Sequence, residues 1–280
     1  MTQNNFRTMM SGLGLATAML VSGQSPAVAD SGSGAATTAT YFSPEDAGAY
    51  SKQIERELAA KGARVAIVFR TGRSRDRLPD GIDYTHGAFW VHQTIARPDG
   101  STFKGYVTYN LFHGDGKTLS REQSYLAEEF PFAFVQSSAV EDLGVILLAP
   151  EVQQRVLSMI ADGSYEALHD TDYSLIASPY DDRFQNCNEF MLDVIAAALW
   201  QTTDYDQIKA NLTEHFDGTR VKVGFLARTF GPLADTRLKT RDHRGKPIIT
   251  VTYASLAEFL MRNGYATETF ETTPRMLQQG

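Results

Sequence analysis

FQNCNEF, residues 184–190, contains the one cysteine of this 280-residue chain. A thiol is a carbonyl nucleophile when it is ionised, and ionisation depends on its surroundings. Asn186 is a good helix N-cap, and Glu189 stands three residues later, where its side chain is expected to return a hydrogen bond to the cap. Cys187 then falls at the first helical position. There the unpaired backbone N–H groups and the helix dipole favour a thiolate, lowering the thiol from its free value of ~8.5 toward neutrality. The N–H of Cys187 is also a candidate oxyanion donor, with Tyr180 and Asp181, just upstream, as candidate lining of the same site. An unpaired cysteine equally serves as a small apolar core residue.

A cysteine nucleophile needs a base, and six histidines are present. His86 opens a strand pattern in YTHGAFWV, a position that also suits a structural histidine. His86 and His92 share strand parity but lie about 20 Å apart at ~3.3 Å per residue, too far to share a metal. His113-Gly-Asp115 offers two ligands in a glycine turn, which is weak support for a metal, so neither metal nor cofactor is expected. The arginines Arg70, Arg73, Arg75 and Arg77 in FRTGRSRDR suit an anionic substrate or, more simply, a solvated loop. G-x-S-x-G, Walker, H-E-x-x-H and dinucleotide motifs do not occur beyond the leader.

A histidine at a strand start in THGAFWV, followed far downstream by NCNEF at a helix start, resembles the circularly permuted papain-like thiol enzymes. These include relatives of the NlpC-type cell-wall peptidases and of the lecithin–retinol acyltransferases. In the latter an asparagine-cysteine pair precedes a phenylalanine in the register of Asn186, Cys187 and Phe190. The chain also resembles an uncharacterised bacterial family, domain of unknown function 2145, through THGAFWV, NCNEF and TYASLAEFL. The resemblance to the thiol enzymes implies Cys187 as nucleophile, His86 as general base and a third polar residue to orient the imidazole. In those enzymes that residue closely follows the histidine, whereas here the hairpin is longer. Folding the strands about the turn near Pro98 brings residues 110–113 opposite His86. Asn110 and His113 are the candidates; they differ in parity, and Asn110, inside the strand, is preferred.

The elements that must position these groups read as α+β with a mainly antiparallel sheet, the cysteine helix packed against it. SPEDAGAYSKQIERELAAKG is a helix with Ser43 as N-cap, Pro44 at its first position and Gly62 at its end. Strands are expected at 64–70, 85–93 and 103–112, the last two forming a hairpin across ARPDGST, and at 143–149. A helix opens at Pro150, YSLIAS (173–178) reads as a short strand or extended approach, and a helix runs near 205–216. PIITVTY (247–253) reads as a strand before a helix boxed by Ser255 and Glu258 and closed by Gly264.

At the N-terminus, Arg7, an apolar stretch over 9–21 and Ala27-Val28-Ala29 read as a signal peptide over 1–29, too short to span a bilayer. A small-residue linker follows over 30–41, and 42–280 form a single expected domain. The protein is therefore expected to be periplasmic or secreted, with no stable membrane span after processing. Its formal charge of −7 argues against nucleic acid as the main partner. A single cysteine permits no internal disulfide, so the core alone must hold the fold. These readings combine into an exported cysteine hydrolase or acyl-transfer enzyme. Its expected substrate is a peptidoglycan peptide or a lipid acyl group of the bacterial envelope. The alternative is a non-catalytic envelope binding protein of the same fold.

Overall fold

A computed structural model describes residues 40–78, 80–222, 236–245 and 247–275. The signal-peptide reading over 1–29 and most of the linker lie outside the described residues. Helix α1 (Pro44–Ala60) starts at Ser43, whose hydroxyl accepts from the N–H of Asp46, and Pro44 takes the first turn, where no N–H partner is needed. Gly62, at a φ of +69°, lets the chain reverse after it.

The main sheet is built from β1 (Val65–Arg70), β2 (His86–Ala96), β3 (Thr102–His113), β4 (Ser124–Glu129), β5 (Leu143–Leu148) and β8 (Ala266–Thr272). Their spatial order is β4-β3-β2-β1-β5-β8, and each neighbouring pair is antiparallel, as expected of an α+β chain. Helices cover both faces. One layer holds α3 (Pro150–Asp162), α5 (Cys187–Trp200), α6 (Tyr205–His215) and α7 (Tyr253–Arg262). They pack on the odd-numbered residues of β1 to β3, among them Ile67, Phe69, Phe89, Val91, Tyr109 and Leu111. The other layer holds α1 and the short α2 (Pro131–Gln136), which cover Ala66, Val68, Ala88, Trp90 and Tyr106. Strand periodicity thus sorts successive residues into two separate cores.

Several elements differ from expectation. Residues 173–178 form turns with a single bridge between Tyr173 and Gln185, because Ser174 and Asp242 take the N–H groups of Ile176 and Ser178. The strand expected over 247–253 shrinks to β7 (Ile248–Thr250), paired with β6 (Thr219–Val221) in a second, two-stranded sheet. Helix α7 starts three residues earlier than its expected box, with Thr252 and Ser255 capping each other reciprocally. A one-turn helix, α4 (Ser164–Ala167), follows α3 after Gly163. Strands β4 and β8 and helix α2 were not foreseen.

Candidate functional site

Helix α5 places Cys187 where the cap requires it. The Asn186 side-chain oxygen accepts from the N–H groups of Asn188 and Glu189, and Asn186 Nδ2 donates to the carbonyls of Ser174 and Leu175. The expected return bond from Glu189 does not form. Its carboxylate instead pairs with Lys209 of α6, which also binds Asp193 at 2.7 Å. Burial and the neighbouring Asp193 raise Glu189 well above the usual carboxylate range. Burial alone would lower Lys209, but Asp193 and Glu189 outweigh it and raise the ammonium's pKa. A buried ion pair reached across a helix interface has displaced a local cap.

The cysteine meets the sheet at the start of β2. Even-numbered residues there direct their N–H groups to β1, as His92 N does to Arg64 O at 2.8 Å. Gly87 therefore directs its N–H to the β3 side. The β2–β3 pairing begins only at Phe89, whereas the β1 pairing continues through Gly87 and His86 to Phe69 and Arg70. Cys187 Sγ lies near the Gly87 N–H, whose proximity works against the rise of its pKa, and the thiol donates toward Asn188 Oδ1 at 3.6 Å. Gly87 admits the helix because it has no side chain. A Cβ there would stand 2.4 Å from Met191 Cε and 2.7 Å from Phe69 Cε1.

Since Gly87 faces α5, alternation turns His86 to the opposite face. Its ring stacks on Phe112 at 5.1 Å and 13° and leans on Phe134 of α2 at 5.7 Å. Asn110 shares that face: its Oδ1 lies 3.1 Å from His86 Nε2. Asn110 Nδ2 donates to Thr108 O and Oγ1 at 3.2 and 3.0 Å, which aims the carbonyl oxygen at the ring. His86 Nε2–H is therefore the donor, and in the neutral ring Nδ1 carries the lone pair. Burial, helped by the Arg70 guanidinium, holds His86 well below the ordinary histidine range.

Two expectations are corrected here. Cys187 and His86 form no hydrogen bond, since sulfur and ring are sorted to different faces of one strand. The thiol is raised, not lowered: at 7% exposure, burial outweighs the N–H groups at its helix start and the nearby Arg70 charge. The closed site holds a neutral thiol and a neutral imidazole.

His113 does not touch the His86 ring. Its Nδ1 donates to Gly114 O at 2.7 Å, and its Nε2 accepts from Arg237 at 2.7 Å. Asp115 caps its own turn through the N–H groups of Lys117 and Thr118. Tyr180 and Asp181 belong to another cavity, of about 240 Å³, lined also by Ser178, Asp242 and His243. There Tyr180 hydroxyl bonds Phe216 O and Gly218 N, and Asp181 pairs with Arg183 and Arg244.

Arg70 and Asn188 were missed as site residues. Arg70 is not part of a solvated loop: it is 1% exposed, packed over Phe134 at 5.2 Å, with Nη1 donating to Ser137 O at 2.9 Å. Burial brings its pKa down to about 10, while Glu129 and Cys187 act in the opposite sense. Arg75, its neighbour in the sequence, pairs with Asp142, which also accepts from Tyr84.

No curated protein and no solved structure matches the chain. The family model described as "Uncharacterized protein conserved in bacteria (DUF2145)" matches residues 57–260, and the chain belongs to that family.

Proposed function

We propose that the protein is a cysteine-dependent hydrolase or acyl-transfer enzyme of permuted papain-like type, exported to the bacterial envelope. The observation that carries this reading is that two prepared groups flank one strand start, one on each face of the sheet. Cys187 is presented by a capped helix terminus at the His86–Gly87 peptide, and Asn110 sets the tautomer of His86. In that tautomer Nδ1 is the ring atom able to accept a proton.

In the reaction proposed, the start of β2 must turn so that His86 Nδ1 reaches the α5 face, where it takes the Cys187 proton as sulfur bonds to an amide or ester carbonyl carbon. The tetrahedral intermediate expels the amine or alcohol, which leaves with the proton held by His86. Water or another acceptor then attacks the thioester, gives its proton to His86, and restores the thiol. A peptidoglycan peptide or a lipid acyl group is the substrate class this location supplies. The leader over 1–29 carries the assignment to the periplasm or exterior, and intact mass of the exported form should place its first residue near Asp30. Among the described residues no helix is long and apolar enough to cross a membrane.

The test is acyl-enzyme formation. A small activated thioester should add one acyl group to Cys187, removable by hydroxylamine, and Cys187→Ser should abolish it. His86→Gln should slow acylation by about 10²–10⁴-fold, the usual worth of a general base. Absence of acylation in the folded protein, or full reactivity in His86→Gln, would sink the enzyme reading. The burial of Cys187 favours a second reading, an envelope binding protein in which the thiol is a core residue.

A further inference from the structure

Asn188 brings its side-chain amide to the sulfur. It is buried at the second position of α5, and its backbone N–H is held by the cap oxygen of Asn186. Asn188 Nδ2 donates to Val251 O at 3.2 Å. Val251 is buried at the junction of β7 and α7, where Thr252 caps the helix and its hydroxyl meets that of Thr219 of β6 at 2.7 Å. A backbone carbonyl only accepts, so Val251 fixes which end of the amide is nitrogen and leaves Oδ1 at the other. Oδ1 also only accepts, so across the 3.6 Å to Sγ the thiol is the donor. No other donor among the described residues bonds Oδ1, and a buried carbonyl left without a donor is costly. The Cys187 proton and the Asn188 carbonyl satisfy each other.

We propose that Asn188 is a positioning residue of the site: its amide, fixed by Val251 O, turns the Cys187 S–H toward the β7–α7 junction and holds the nucleophile at rest. The proposal rests on the reading of Cys187 as nucleophile. A hydrogen bond donated by the thiol belongs to its neutral form alone, so the contact opposes ionisation. Burial acts in the same direction, while the helix-start N–H groups and the Arg70 charge act against it. Of the titratable groups nearby, His86 lies on the other sheet face, and Tyr253 at the start of α7 packs its ring on Phe69 and Tyr84. All of these stay in place when only the Asn188 side chain is changed. Attack on a carbonyl sends the thiol proton to the base, so the contact with Asn188 breaks before sulfur reacts. Asn188 touches no substrate atom in this scheme; it acts through the thiol.

The measurement is the infrared S–H stretch, which falls in a window clear of other protein bands. With one cysteine in the chain the band belongs to Cys187 alone. Its position reads the hydrogen bond, its loss with rising pH reads ionisation, and neither needs turnover or access for a probe. In wild type the band should lie at lower frequency than that of an alkanethiol in hexane. Asn188→Leu, which keeps the volume and removes the acceptor, should raise the frequency. It should also move the midpoint of band loss down by about half to one pH unit, roughly 3–10-fold more thiolate at a fixed pH. The sign separates this role from packing, because an apolar replacement that only desolvates the thiolate moves the midpoint up. Asn188→Asp keeps an acceptor and adds a charge, so its midpoint should rise by about one unit or more. A wild-type band at the hexane position overturns the proposal, as does a midpoint in Asn188→Leu that is unchanged or higher. Asn188→Ala replaces the leucine variant should circular dichroism find that one unfolded. If both unfold, the wild-type band position decides, together with the Asn188→Asp midpoint, which overturns the proposal if unchanged or lower. A band that follows Asn188 in a protein that cannot be acylated would retain the positioning role and remove the enzyme reading; acylation with a band indifferent to Asn188 would do the reverse.

Discussion

The neutral state of His86 has a consequence for stability that can be measured directly. In the unfolded chain a histidine binds a proton below about pH 6.5. In the folded protein, burial and Arg70 keep His86 unprotonated to well below that value. Between those limits the unfolded state binds more protons, so the contribution of His86 is fully present above pH 6.5 and is lost as pH falls. One proton corresponds to about 1.4 kcal/mol per pH unit once titration in the unfolded state is complete. From pH 7.5 to pH 5 the integrated loss is therefore at most about 2 kcal/mol, reached when the folded ring stays neutral throughout. His169 is also held low by burial and adds a loss of the same sign, so the wild-type curve alone does not isolate His86. Urea unfolding of wild type and His86→Gln should be measured at half-unit steps across this range. The variant should start less stable and lose less than wild type on acidification, by up to about 2 kcal/mol. Parallel curves would refute the neutral buried imidazole and the chemistry built on it.

Two further outcomes follow from the packing around α5. Lys209→Met should cost about 3–5 kcal/mol, because it strands Glu189 and Asp193 in the interior, and chemical denaturation reads it directly. A loss under 1 kcal/mol would mean the trio is not buried as a unit. Gly87→Ala should cost about 1–3 kcal/mol by forcing Met191 and Phe69 aside. In a double-mutant cycle with Met191→Ala, a coupling of about 1 kcal/mol is expected, and strict additivity would show that the contact does not limit the position.

Local signals in the sequence were the most legible. The Asn186 cap, Ser43 with Pro44, and the terminal glycines depend on neighbours within a few residues, and the structure places them accordingly. The contact of Asn110 with His86 was also readable, since the hairpin turn determines register and parity determines face. The separation of Cys187 from the His86 ring was not, because it depends on which sheet face α5 covers. Arg70 was misread because its burial is created by α2, whose six residues carry no period long enough to detect. Glu189 matched a capping box yet serves Lys209, which is twenty positions away and invisible to a local rule. Strand β8 escaped notice because ATETFET alternates polar residues along a sheet edge, leaving little apolar signal.

That last strand determines where the chain can be cut. All six residues of β5 are buried, and β5 owes its outer hydrogen bonds to β8, which lies beyond the family-matched span of 57–260. Helix α1 also begins before that span, and its Tyr50 hydroxyl and Gln53 amide hold the carbonyls of Thr272 and Thr273. A fragment trimmed to 57–260 would therefore lose the clasp between the two ends of the fold and bare β5 as an apolar edge. Such an edge recruits strands from other molecules. The trimmed fragment is accordingly a candidate for aggregation, and the smallest piece worth expressing runs from Tyr41 through Thr273.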